Sequence, residues 1–192
     1  MTTHHLLKRA VDLAACVALV PIALPLSVAA MVAIRLETRG SPLFIQTRVG
    51  RGRRPFRLYK LRTMEIETPD LPSHEAGTAR VTRVGQFLRR TKLDELPQIL
   101  NVWNGTMSLV GPRPCLPSQT DLIMERDKRG LFDIPPGVTG PAQILGIDMS
   151  NPERLAATEA AYFECPTLLG DLRILLRTLT GAGRGDAALK GD

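Results

Sequence analysis

The chain has 192 residues, 44% hydrophobic and 23% charged, with Lys plus Arg at 25 against Asp plus Glu at 19 and a net charge of +6. Those figures exclude a disordered chain and fit one domain with or without an appendage. The basic excess points to an anionic partner, but 4% aromatic residues is thin for stacking bases, so no nucleic acid is expected. Cys16, Cys115 and Cys165 are odd in number and far apart, which excludes a disulfide framework and a cysteine zinc site and fits a reducing compartment.

From Leu13 to Ile34 there is no charged residue. As a straight helix that run is roughly 33 Å long, enough to cross a bilayer core. A signal peptide is the first rival, with Lys8 and Arg9 as its basic start. The run exceeds the usual apolar segment of about 7–15 residues, however, and carries two prolines. Pro21 and Pro25, one turn apart, predict a kink or break. Basic residues stand on both flanks: Lys8 and Arg9 before, then Arg35, Arg39 and the stretch Arg48–Arg62 after. Positive flanks mark the cytoplasmic side, so a re-entrant hairpin fits better than a single span.

The remainder reads as a small α+β domain, mostly helical with a short strand pair. Pro42–Ile45 and Phe56–Leu61 are the strand candidates, around a basic turn at Gly50, Gly52 and Pro55. Residues 65–79 have no period and read as a mobile loop. Helices are expected over about 82–90, 94–102, 119–129, 151–161 and 168–179, and a frayed tail from Gly181. The expected division is 1–36 re-entrant membrane helix, 37–180 globular domain and 181–192 flexible tail.

No phosphate-binding loop, dinucleotide fingerprint or nucleophile elbow is present. The chemistry concentrates instead in Lys92-Leu93-Asp94-Glu95-Leu96-Pro97-Gln98. Pro97 is tolerated only in a first helical turn, which puts Asp94 at or near an N-cap. A structural cap explains that much. A carboxylate there is also expected to be exposed, rigid and ionised, with Arg89, Arg90 and Lys92 favouring its charge. Paired carboxylates can hold a divalent cation against a phosphate. Gly111-Pro112-Arg113-Pro114 fixes one guanidinium on a stiff loop, a form suited to phosphate. Pro136–Gln143 reads as a double turn whose N–H groups could line an anion pocket. The basic stretch Arg48–Arg62 has no acidic residue and reads as a surface facing lipid headgroups.

These blocks occur in order: Lys8-Arg9-x-x-Asp12, Phe44-x-Gln46-x-Arg48-x-Gly50, Phe56-x-x-Tyr59-Lys60-x-Arg62-Thr63-Met64, Leu93–Gln98, Met107–Pro114 and Pro136–Gly140. Together they resemble the bacterial sugar transferase family, the small monotopic phosphoglycosyl transferases, over about residues 8–179. The resemblance implies transfer of a sugar 1-phosphate from a UDP-sugar to a polyprenol phosphate, with release of UMP, at the cytoplasmic face of a bacterial inner membrane. It implies Asp94 as nucleophile through a phosphosugar-aspartyl intermediate, Glu95 as its acid/base or metal neighbour, and Mg²⁺ at these carboxylates. Lys60, Arg62, Arg89, Arg113 and Gln143 are the expected substrate-binding set, and anionic inner-membrane lipids a further partner; a homodimer is left open. Leu24-Pro25 stands where the family has Ser-Pro. Pro141 stands for a common aromatic, and Gly146-Ile147 for a Gly-Arg pair, which shifts the expected phosphate contact to Arg113. The alternative is a non-enzymatic, membrane-anchored basic scaffold module, which has no need of the Asp94-Glu95 pair.

Overall fold

A computed structural model describes residues 3–65 and 81–181. The loop expected over 65–79 lies, beyond Glu65, outside the described residues, and so does the expected tail beyond Gly181.

The longest element is α1 (Thr3–Glu37), one uninterrupted helix that contains both Pro21 and Pro25. The expected break is not observed. Each proline removes one backbone hydrogen bond, but its ring sets φ near the helical value, so two isolated losses leave an apolar helix continuous. One stripe of α1 is buried: Asp12, Cys16, Ala23, Ser27, Ala30 and Ile34 are each at most 8% exposed. Their three-, four- and seven-residue spacing marks a single helix face. Val17, Ile22 and Leu24 are at least 61% exposed.

Both ends of α1 dock on the same body. Near the start, Asp12 accepts from Ser108 Oγ at 2.8 Å and from the Leu109 amide at 3.2 Å, and Lys8 Nζ meets Asp171 at 2.6 Å. At the far end the Glu37 carboxylate accepts the amides of Arg83 and Val84, and Ala30 and Ile34 pack with Leu61 and Leu88.

Beyond α1, β1 (Leu43–Val49) and β2 (Pro55–Leu61) form the expected antiparallel pair, with Leu43 opposite Leu61. Next comes α2 (Arg83–Thr91), whose first turn is capped by Thr82 Oγ1 accepting from the Gly85 amide at 2.9 Å. Lys92 takes a left-handed φ of 57° and ends α2. A 3₁₀ helix follows over Leu93–Gln98, then α3 (Ile99–Trp103). The single α-helix expected over 94–102 is thus divided, because Pro97 inside the 3₁₀ turn has no N–H for an α-type bond.

The chain continues through β3 (Ser108–Val110), α4 (Thr120–Lys128), β4 (Gly137–Thr139) and α5 (Pro141–Ile144). It closes with α6 (Pro152–Phe163), capped by Asn151, and α7 (Leu168–Leu179). Strands β3 and β4 pair in parallel, a second two-stranded sheet that the sequence reading lacks. The two backbones touch where it ends: a Cβ on Gly137 would lie 2.0 Å from the Gly111 nitrogen, so no larger residue fits. Among the described residues the core is three small clusters. Cys16 joins Leu58, Val102 and Met107; Ala30 and Ile34 join Leu61 and Leu88; Val49, Cys115, Leu122, Ala142 and Leu155 fill the far side.

Candidate active site

The left-handed turn at Lys92 and the tight 3₁₀ helix after it carry Asp94 and Glu95 to the wall of a cavity of about 760 Å³. That volume falls in the range of small-molecule sites. Arg89, Arg113 and Gln143 share the polar part of its lining with the two carboxylates. Ala18, Leu19 and Ile22 of α1 and Leu172, Leu175 and Leu176 of α7 supply an apolar part. The site therefore joins a charged centre to a greasy wall next to the apolar helix.

Asp94 is buried, at 9% exposure, and it is not a cap: the residue before the 3₁₀ helix is Lys92, with no side-chain cap bond. Among the described residues no hydrogen bond holds the Asp94 carboxylate. Burial pushes it up to about 6, opposed by Lys60, reinforced by the negative charge of Glu95, and opposed again by Arg89 and Arg113. The expectation of an exposed carboxylate favoured in its charged form is thereby corrected: desolvation outweighs the surrounding cations.

Glu95 differs. Burial would raise it too, but Lys60 Nζ and Arg113 Nη2 each donate to its Oε1 at 3.1 Å and together hold the carboxyl down at about 2. Glu95 is thus ionised at neutral pH and anchors two cations beside Asp94. It carries no proton to donate there.

Two buried groups on the cavity wall are incomplete. Arg89 donates Nε to Thr63 Oγ1 at 2.9 Å, and its Nη1 has no partner. Gln143 donates Nε2 to the Val138 carbonyl at 3.3 Å, and its Oε1 has no partner. Buried polar atoms left unpaired cost stability, so such atoms on a cavity wall suit a ligand that completes them. The chemistry would be an anionic oxygen for Arg89 and a hydroxyl or amide N–H for Gln143.

The sequence-expected set separates as follows. Asp94, Glu95, Arg89, Arg113 and Gln143 share the cavity, and Lys60 reaches it through Glu95. Arg62 does not line it; its Nη2 donates to the Thr38 hydroxyl at 2.6 Å and braces β2 against the end of α1. The basic stretch also divides. Arg48 donates to Gln46 and to the Pro114 carbonyl, and Lys60 and Arg62 are engaged internally. Arg51, Arg53, Arg54 and Arg57 stay exposed, so only part of that stretch can face a surface. The reading missed the cavity's α7 wall, although Leu169, Leu172, Leu176 and Leu179 recur at the helical spacing that reveals it.

Asp94 and Glu95 form a two-carboxylate donor set; among the described residues no group of three or more His, Cys, Asp or Glu could hold a metal. Mg²⁺ commonly takes one or two carboxylates and completes its shell with water and substrate phosphates. The donor set fits that arrangement. Asp94 and Glu95 are the residues that could hold such an ion.

A family model described as bacterial sugar transferase matches residues 3–184. The chain is 41% identical over 182 residues to a UDP-glucose:undecaprenyl-phosphate glucose-1-phosphate transferase of Caulobacter vibrioides, covering 90% of this chain and 68% of that protein. It is 40% identical over 149 residues to a UDP-N-acetylgalactosamine-undecaprenyl-phosphate N-acetylgalactosaminephosphotransferase of Aeromonas hydrophila, covering 74% of this chain and 34% of that protein. It is 37% identical over 175 residues to the uncharacterized sugar transferase EpsL of Bacillus subtilis, covering 91% and 86%. The chain thus spans from a third to most of the length of these curated relatives.

Proposed function

The chain belongs to the bacterial sugar transferase family, and we propose on that premise that it transfers a sugar 1-phosphate from a UDP-sugar to a membrane polyprenol phosphate. The product would be a polyprenol diphosphate sugar, the first membrane step of a surface glycan. The observation that carries this reading is the buried Asp94 beside an ionised Glu95 that anchors Lys60 and Arg113, on a cavity whose other wall is apolar. A phosphorylated lipid needs both parts: cations for its headgroup and a greasy surface for its chain.

The steps balance as two displacements at one phosphorus. An Asp94 carboxylate oxygen attacks the sugar-bearing phosphorus of the UDP-sugar; the bridging P–O bond breaks, and its electron pair leaves with UMP. A polyprenol phosphate oxygen then attacks the same phosphorus, the aspartyl P–O bond breaks, and Asp94 is regenerated. The covalent stage lets two poorly miscible substrates react in turn. Arg113 and Lys60, both held at Glu95 beside Asp94, would offset the negative charge of the transferred group, and alignment with electrostatic support is most of what phosphoryl transfer requires. Mg²⁺ at the carboxylates would offset charge on the diphosphate.

The basic residues on both flanks of α1 support insertion that enters and leaves on one face of the membrane. The same flanks support a body on the cytoplasmic side.

The test is to incubate the purified protein with a panel of UDP-sugars, polyprenol phosphate and Mg²⁺ and to measure UMP. Release with at least one sugar is expected. No release with any of them would leave the non-enzymatic scaffold reading in place.

A further inference from the structure

A fully buried ion pair sits behind the proline-framed loop, and its carboxylate residue, Glu159, also borders the cavity that holds Asp94. Arg126 of α4 is 2% exposed and Glu159 of α6 is 1% exposed. Their contact is bidentate: Arg126 Nε donates to Glu159 Oε2 at 2.8 Å and Nη2 to Oε1 at 2.7 Å. The remaining guanidinium nitrogen, Nη1, donates to the Arg113 carbonyl at 2.8 Å. Burial pushes the Glu159 carboxyl up, with Arg126 and the Arg113 backbone amide drawing it back. The pair therefore holds residue 113 by its carbonyl.

Residue 113 lies within a run of carbonyls that are all held. The Gly137 amide donates to the Pro112 carbonyl at 2.9 Å, Arg48 to the Pro114 carbonyl at 3.0 Å and the Val49 amide to the Cys115 carbonyl at 2.9 Å. Pro112 and Pro114 already fix φ on either side of Arg113. The loop is largely buried, so its carbonyls need partners, but a buried ion pair is a poor source of stability, since well-packed apolar residues often replace one without loss. Retaining a desolvated pair here makes sense if its third hydrogen bond matters.

We propose that the Arg126–Glu159 pair is a positioning device for Arg113: it fixes the backbone from which the Arg113 guanidinium reaches Glu95 and the substrate phosphates. Arg126 and Glu159 are positioning residues, not catalytic ones. The inference rests on the functional reading above only for its effect on turnover. Its effect on the loop is independent of any reaction.

The test uses the double variant Arg126→Met/Glu159→Leu, which removes both charges together and so leaves no unpaired buried ion. Hydrogen exchange of the peptide over residues 111–116 reads the loop directly, and UMP release reads turnover, each in wild-type and Arg113→Lys backgrounds. Faster exchange is expected at Gly111, Arg113, Cys115 and Leu116, the four non-proline residues of that peptide. The rate of UMP release should fall about tenfold or more in the wild-type background, the scale that a misplaced catalytic group produces. In the Arg113→Lys background the further fall should be about twofold or less, because residues acting through one group are not additive. If the double variant does not fold, Arg126→Lys, which keeps the charge but cannot make all three hydrogen bonds, is measured in the same way with the same expectation. Unchanged exchange over 111–116, or equal losses in both backgrounds, overturns the proposal. Absence of UMP release by the wild type would overturn the functional reading alone, and the exchange measurement would still decide the role of the ion pair.

Discussion

Asp94→Asn should make the protein more stable at neutral pH while it abolishes UMP release. The carboxyl is pushed by burial from its ordinary 3.8 to about 6. At about 1.4 kcal/mol per pH unit, that displacement corresponds to about 3 kcal/mol. The sign follows from proton uptake. Between pH 4 and 6 the folded state holds the Asp94 proton more tightly than the unfolded chain does, so the stability this group contributes is full below pH 4 and lost by the time pH passes about 6. Above that pH the fold carries an ionised, desolvated carboxylate. Asn is nearly isosteric and uncharged, and because Asp94 makes no cap bond, none is lost. The gain should approach about 3 kcal/mol at pH 8, roughly 6–12 °C in melting temperature for a domain of this size, and vanish near pH 4. Melting both proteins across that range, in a membrane mimetic with a chelator to keep divalent cations from Asp94, checks it. A difference that is constant with pH, or a variant less stable than wild type at pH 8, would refute the claim that burial dominates at Asp94.

Further consequences can be measured in parallel. Protonation of Asp94 should cost the first half-reaction about tenfold in rate per pH unit on the acid side, and bound Mg²⁺ should shift that limb to lower pH. Lys60→Met, which removes a cation that lowers the Asp94 carboxyl, should move this limb to higher pH; an unmoved limb would detach Lys60 from Asp94. Arg113→Lys keeps the charge but loses the forked geometry and should cost about tenfold or more in UMP release, whereas unchanged kinetics would remove Arg113 from the site. Single cysteines at positions 3 and 41, in a chain stripped of its native cysteines, should both react only from the cytoplasmic side; labelling of position 3 from the outside would exclude re-entrant insertion.

Much of the site is visible in the linear chain because short motifs carry it. Asp94, Glu95, Arg113 and Gln143 each sit in a block whose prolines and glycines announce a fixed backbone. What the chain does not disclose is distance. Lys60 and Glu95 are 35 residues apart, and only the pairing of β1 with β2, and the packing of β2 beside the 3₁₀ turn, brings them to 3.1 Å. Burial is equally silent. Asp94 reads as an exposed cap from its neighbours, and its place on a cavity wall depends on α1 and α7, which lie at opposite ends of the chain. The β3–β4 pair escapes because three-residue strands show no period, although Gly111 and Gly137 mark where the two backbones touch. Pro21 and Pro25 forecast a kink or break, and α1 continues through both without a break.

The most direct measurement is a single-turnover reaction of wild-type protein with a UDP-sugar and Mg²⁺ in the absence of polyprenol phosphate. UMP should appear in a burst of one equivalent per protein, with a mass increase of one phosphosugar on the peptide that contains Asp94, and later addition of polyprenol phosphate should discharge that adduct into lipid product. If UMP formed only when the acceptor was present and no adduct ever appeared, the two-step route through Asp94 would be contradicted, and transfer would have to be a single direct displacement.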